Sequence, residues 1–91
     1  MALTKETVVD KIEVMEMGEV QVRTATRVLE DGAVLSSSFH RHFLEPSTKD
    51  SGSWADTDIS GEDARVQAVA NATWTSAVKT AYQEMVDANS L

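Results

Sequence analysis

The chain has 91 residues, a formal net charge of -7 and no cysteine. This length corresponds to one small domain that buries about 60–65% of its unfolded surface, so a free monomer is expected to be marginal. The acidic balance argues against a nucleic-acid backbone or an anionic membrane as partner, while mimicry of DNA by an acidic surface stays open. No apolar stretch approaches the roughly 20 residues that a bilayer-spanning helix needs, and the first residues lack a signal-peptide pattern.

Residues 1–7 are predicted to form a short N-terminal arm, and residues 8–44 a three-stranded antiparallel meander. Two strong turn signals, Glu16-Met17-Gly18 and Asp31-Gly32, separate the strands. The predicted strands are 8–15, 19–29 and 33–44. A sheet this thin needs helices or a second protein over its apolar face.

The Asp31-Gly32 pair suits a two-residue type I′ turn, because both central positions of that turn have positive φ. The pairs that follow are Val28 with Leu35, Thr24 with Phe39, Val20 with Phe43, Arg23 with His40 and Gln21 with His42. A three-residue loop at the same place puts Val20 and Val22 beside the histidines, which segregates apolar from polar side chains less well. The two-residue turn is therefore preferred.

At the other turn, a three-residue loop with Gly18 in a left-handed bulge pairs Val14 with Val20 and Ile12 with Val22. The predicted covered face is Val8, Ile12, Val14, Val20, Val22, Val28, Leu35, Phe39 and Phe43. The predicted wet face is Lys11, Glu13, Gln21, Arg23, Arg27, Ser36, Ser38, His40 and His42. One buried and one wet face is the usual arrangement of an antiparallel sheet.

Residues 45–60 are predicted to be an acidic linker, since Pro46 ends the third strand and Ser, Asp, Thr and Gly follow without periodicity. Trp54 is a large apolar residue in this polar stretch. It either holds the linker against its own domain or anchors another protein.

Residues 61–91 are predicted to be helical, with Ser60 as the N-cap. Two apolar stripes follow helical spacing. They are Val66, Val69, Ala70, Thr73 and Trp74, then Val78, Ala81, Tyr82 and Met85. Thr75 marks a second N-cap, with the second helix reaching about Ala88, although one continuous helix stays open. The stripes are interpreted as core packing, with a partner-binding face as the alternative.

His40 and His42 lie two residues apart on a strand, so both imidazoles face the same side. Two histidines suit a zinc or nickel site with Glu13 or Glu19 as a third ligand, but an opposing Arg23 disfavours a cation. A polar sheet face or a subunit contact is the preferred interpretation. No metal, cofactor or catalytic set is predicted, and the chain is expected not to be an enzyme. The predicted interaction residues are His40, His42, Trp54, Trp74 and Tyr82.

Several segments together carry a family resemblance. They are Ile12-Glu13-Val14, residues 20–26, Glu30-Asp31-Gly32, Phe39-His40-Arg41-His42, residues 66–70, Trp74-Thr75 and Ala81-Tyr82-Gln83. This pattern, which spans about two thirds of the chain, resembles small uncharacterised proteins encoded by tailed bacteriophages. Such proteins tend to be encoded near tail genes. The resemblance implies a virion component made in the bacterial host cytoplasm, and it supplies no catalytic residues.

The preferred functional hypothesis is a non-enzymatic structural or assembly protein of the phage tail or baseplate, which docks other virion proteins, itself, or both. The alternatives are an acidic phage regulatory protein that binds a host protein, a capsid decoration protein, and a metal-dependent enzyme. Because the third strand carries only Arg41 as a charge and no proline, its edge is poorly protected. Self-association or docking at that edge, near His40 and His42, is therefore expected.

Overall fold

A computed structural model describes residues 2–89 of the chain as an α+β fold. Its elements are β1 (Leu3–Val14), β2 (Val20–Glu30), β3 (Ala33–Leu44), β4 (Ser47–Asp50), β5 (Ser53–Asp56), α1 (Ala64–Thr73) and α2 (Ser76–Asn89). The first three strands form an antiparallel sheet in the order β1-β2-β3, and β4 pairs with β5. The predicted class, a meander followed by two helices, is confirmed.

Two predicted irregular segments are strands instead. Strand β1 begins at Leu3, because residues 3–7 pair with the end of β2, and the Asp31 N–H donates to the Ala2 carbonyl at 3.0 Å. The segment predicted as a linker contains the β4–β5 hairpin. Its turn at Ser51 and Gly52 has φ of 52° and 84°, and both positive values suit a two-residue hairpin turn. Met1 and residues 90–91 lie outside the described residues.

The first turn has the predicted geometry. The Met15 N–H donates to the Glu19 carbonyl at 2.8 Å, the Gly18 N–H donates to the Met15 carbonyl at 3.0 Å, and Gly18 has φ of 90°. The predicted pairs of Val14 with Val20 and Ile12 with Val22 are confirmed. Glycine is favoured here because this conformation is sterically unfavourable for residues with a Cβ.

The second turn is as predicted, but the register of β3 is not. Asp31 and Gly32 have φ of 51° and 86°, as a type I′ turn requires. A bulge then places Leu35 between the Leu29–Val34 and Val28–Ser36 pairs. The observed pairs beyond it are Ala25 with Phe39, Thr24 with His40, Arg23 with Arg41, Val22 with His42, Gln21 with Phe43 and Val20 with Leu44. One extra residue moves every later side chain of β3 to the other face.

All five predicted β2–β3 pairs are therefore wrong, and Phe39 and His40 have exchanged sides. The histidines share a face with Val20 and Val22. This is the arrangement for which the three-residue loop was rejected. A second bulge, at Asp10 in β1, shifts the register between Val9 and Lys11. Val9 consequently packs against the core.

The two helices are separate, as Thr75 indicated. Helix α1 is capped by Asp63 rather than by the predicted Ser60, since the Asp63 carboxylate accepts from the Arg65 N–H at 2.9 Å. The Thr75 hydroxyl accepts a hydrogen bond of 3.3 Å from the Val78 N–H at the start of α2. Side-chain acceptors at these positions satisfy N–H groups that have no partner inside a helix.

The core lies at one end of the long sheet. Its buried members are Val20, Val22, Val66, Ala70 and Trp74. Around them pack Val9, Ile12, Leu44, Ile59, Val69 and Val78. The sheet residues in these lists come from the end near the Met15–Glu19 turn, so α1 covers that end only.

The other end of the sheet projects as an arm, which we define as residues 3–8, 25–30 and 31–39. Residues 3–7 and 31–39 are exposed throughout. The molecule measures 57 × 26 × 23 Å and has a radius of gyration of 17.0 Å. A compact chain of this length would have a radius of gyration of about 12 Å. The arm accounts for the difference.

Candidate interaction surface

His40 and His42 lie together on the face of the sheet that carries α1, not on the predicted wet face. Their rings stack with centroids 6.3 Å apart. His42 Nε2 lies 2.8 Å from the Glu62 carboxylate, which precedes α1, and both side chains are partly buried. The His42–Glu62 contact therefore joins β3 to the start of α1.

The metal hypothesis gains no ligand set from this arrangement. Glu13 pairs with Gln21, which pairs with Phe43, so Glu13 belongs to the face opposite His42. Within residues 2–89, no group of three or more His, Cys, Asp or Glu side chains is arranged to hold a metal ion. The histidine nearest a carboxylate is already paired with Glu62.

Trp54 holds the β4–β5 hairpin against α2. Its ring meets the Tyr82 ring edge-on with centroids 6.1 Å apart, and its indole N–H lies 3.5 Å from an Asp87 oxygen. The Lys49 ammonium is 5.5 Å from the Trp54 ring centroid and 2.8 Å from Asp87. Lys49 holds the pKa of Asp87 below its ordinary value. These contacts serve the packing of the chain on itself.

Trp74 and Tyr82 are buried, and so neither is available to a docked protein. The Trp74 indole N–H donates to the Gly18 carbonyl at 2.6 Å, which fastens the first turn to the end of α1. Tyr82 is 7% exposed. Burial, with the Glu45 charge next in importance, raises the pKa of Tyr82 from 10.0 to about 12.

The acidic segment is largely engaged within the molecule. Asp56 pairs with Lys79 at 2.9 Å, and the Asp58 carboxylate accepts from the Ser60 N–H at 2.9 Å. The hydrogen bond from Ser60 lowers the pKa of Asp58. Asp56 and Lys79 also line an open cleft of about 230 Å³ beside Asn71 and Trp74. The two charged groups in this cleft neutralise each other.

Exposed apolar side chains concentrate on β3. Seven large apolar side chains in residues 2–89 are exposed: Leu3, Val14, Met15, Val34, Leu35, Phe39 and Phe43. Four of the seven lie on β3, and Phe39 and Phe43 are 53% and 59% exposed. A cluster of exposed apolar side chains on one element marks an interaction site more strongly than scattered ones.

Phe39 lies beside the Arg23–Asp10 ion pair on the face of the sheet opposite α1. The Arg23 guanidinium stands 4.4 Å from the Phe39 ring centroid, a cation–π distance. Arg23 also donates two hydrogen bonds to the Asp10 carboxylate, at 2.9 and 2.7 Å. This pairing lowers the pKa of Asp10. The guanidinium is therefore fixed in place and holds one side of Phe39, while the other side remains open.

The two edges of the sheet differ in protection. Strand β1 carries Lys5, Lys11 and the bulge at Asp10, which are common devices against pairing with another chain. Strand β3 also has a bulge, at Leu35, but it has no lysine or proline and only one charge, Arg41. No strand pairs with its outer side in the described part of the chain. The unprotected edge and the exposed apolar side chains thus coincide on β3.

Sequence reasoning thus found the poorly protected edge but not the exposed aromatics. The only available signal for them was the rejected register, which places Val20 and Val22 beside the histidines. No protein-family model, no curated protein and no solved structure matches this chain. Within residues 2–89, no helix combines the length and apolar character needed to cross a bilayer.

Proposed function

We propose that this protein is a non-enzymatic assembly subunit of a tailed-phage particle, in the tail or baseplate, and that it docks its neighbours through the arm. The observation that carries the docking role is the bare arm itself. A small chain that needs every apolar contact for stability nevertheless leaves half of its largest sheet uncovered. The resemblance to proteins of tailed phages supports the placement in a virion.

The distribution of charge favours the arm over the acidic segment as the docking surface. Residues 45–63 have a net charge of -5, from six acidic side chains and Lys49. Asp56, Asp58 and Glu62 in that segment already have partners within the chain. The charged side chains of the arm lie on β1, β2 and the Asp31-Gly32 turn, and two of them, Glu6 and Arg27, pair with each other at 3.1 Å. The part of β3 in the arm, residues 33–39, presents only Ser and apolar side chains. A contact made there depends on apolar burial and backbone pairing rather than on attraction between opposite charges.

Mass spectrometry of purified particles of the encoding phage tests this function. The chain should be present at a stoichiometry that matches a tail or baseplate subcomplex and should remain after salt washing. Recovery with a host protein, and not with particles, would support the acidic regulatory alternative. Recovery with capsids that lack tails would support a decoration protein.

Two matched variants test the role of the arm within the particle. Val34 in the arm and Val14 at the other end of the sheet are 54% and 51% exposed. Val34→Asp should reduce incorporation, because it puts a charge into the docking surface. Val14→Asp should leave incorporation unchanged. Equal effects of the two substitutions would show that the arm is not the docking surface.

A further inference from the structure

We infer that β3 pairs antiparallel with β3 of a second copy of this chain, about a two-fold axis at Phe39, and so joins two three-stranded sheets into one of six strands. This inference names the partner of the arm and rests on the docking role proposed above. It starts from the open edge of β3, whose pairing with β2 is regular from Ser36 to Leu44, beyond the bulge at Leu35. Edges of this kind are templates for a further strand.

The sequence of β3 complements itself when it is reversed. Its first half, Ala33–Ser38, is uncharged and contains three serines, whereas its second half, Phe39–Leu44, carries two aromatic rings, two imidazoles and one guanidinium. Antiparallel pairing of identical strands places each half against the other. The guanidinium and the two imidazoles then meet serines, and no two arginines lie opposite each other.

The face that each side chain occupies restricts the register. Directly opposed residues in an antiparallel pair lie on the same face, so the two-fold axis must pass midway between the two copies of one residue. An axis at Phe39 opposes the two Phe39 rings. It also opposes Arg41 to Ser37 of the second copy and His42 to Ser36 of the second copy. Phe43 then comes level with Leu35 of the second copy.

This register covers all the exposed apolar side chains near the edge together. Phe39 meets its own counterpart, a favourable cross-strand aromatic pair. Phe43 approaches the bulge at Leu35, where Val34 is also exposed. Moving the axis to Arg41 would instead oppose two guanidinium groups. The edge of β1 does not offer this match, since Lys5 and Lys11 interrupt it.

Single cysteine substitutions test the axis directly, because the chain has no cysteine of its own. Phe39→Cys should form a disulfide-linked dimer on mild oxidation, since opposed Cβ atoms lie about 4.5–5.5 Å apart. Phe43→Cys is the matched control, with the same parent residue and similar exposure. Its two sulfurs would be separated by about 27 Å, eight residues of strand, and should not link.

A charge-reversal pair tests the same register without a covalent bond. In sedimentation of the purified full-length chain, Ser37→Arg should weaken the dimer by about tenfold, because the two-fold axis repeats the contact with Arg41. The double variant Ser37→Arg, Arg41→Glu should restore it. Thermal unfolding of each variant confirms that the chain still folds.

The outcomes separate this inference from the proposed function. A wild-type chain that sediments as a monomer at micromolar concentration, equal linking at positions 39 and 43, or a double variant as weak as the single one overturns the two-fold pairing. A dimer with these properties that is absent from phage particles leaves the pairing intact and overturns the virion role.

Discussion

Replacing Gly18 by alanine probes the point where the first turn meets both helices. Gly18 has φ of +90°, and a Cβ there would lie 2.5 Å from Val78 Cγ1 and 3.1 Å from Pro46 Cγ. Its carbonyl accepts the buried hydrogen bond from Trp74. The substitution therefore strains the backbone and forces the turn away from α2 at the same time.

The expected cost is the sum of two separate effects. A left-handed conformation costs a residue with a Cβ about 1–2 kcal/mol. Inserting a methyl group into packed surroundings adds about 1–3 kcal/mol. The free energy of unfolding should therefore fall by about 2–5 kcal/mol. For a chain of this length the whole stability is about 5–14 kcal/mol, so the change should be large.

Two other glycines separate these effects. Gly32 and Gly52 have φ of +86° and +84°, but nothing lies within 4 Å of a Cβ at either position. Gly32→Ala and Gly52→Ala should show only the backbone cost, about 1–2 kcal/mol each. Urea unfolding followed by tryptophan fluorescence measures all three variants. If Gly18→Ala costs no more than these controls, the close packing of the turn against α2 is refuted.

A second substitution checks the identity of the contact. Val78→Ala removes the Cγ1 atom that a Cβ at Gly18 would meet. In the Gly18→Ala background it should recover part of the lost stability, whereas in the wild type it should be mildly destabilising. Simple additivity of the two changes would contradict the proposed contact.

Three further predictions follow from individual side chains. The Asp10 carboxylate contributes stability above its ordinary pKa of 3.8, and this contribution is lost as pH falls through the lower pKa that the contact with Arg23 gives it. Asp10→Asn should therefore flatten the loss of stability measured by urea unfolding from about pH 5 to about pH 2. Phe39→Ala, which a covered Phe39 would make costly by about 3–5 kcal/mol, should cost only about 1 kcal/mol in the dilute monomer, since the ring is 53% exposed. Tyr82, the one tyrosine of the chain, should titrate by near-ultraviolet absorbance at about 12 rather than 10.0, with stability falling as pH rises between these values; ionisation at 10.0 would contradict its burial.

The features that the sequence determined by itself are those with a local chemical cause. Positive φ at Gly18 and Gly32 follows from turn chemistry, and the break before α2 follows from the capping hydroxyl of Thr75. The poorly protected edge of β3 was also visible, since it depends only on which residues occupy the strand. The β4–β5 hairpin was missed because its short strands are polar and lack the apolar alternation that predicts a strand.

The faces of β3 were decided only by the tertiary structure. A single extra residue at the Leu35 bulge reverses every later side chain, because the side chains of a strand alternate with a period of two. Pattern matching favoured the register that buries Phe39, but the helices can cover only the base of a sheet this long. At that base, Val20 and Val22 are buried with α1, while His42 meets Glu62 at its edge. Which end is covered depends on where α1 packs, a long-range contact that no local segment of the chain specifies.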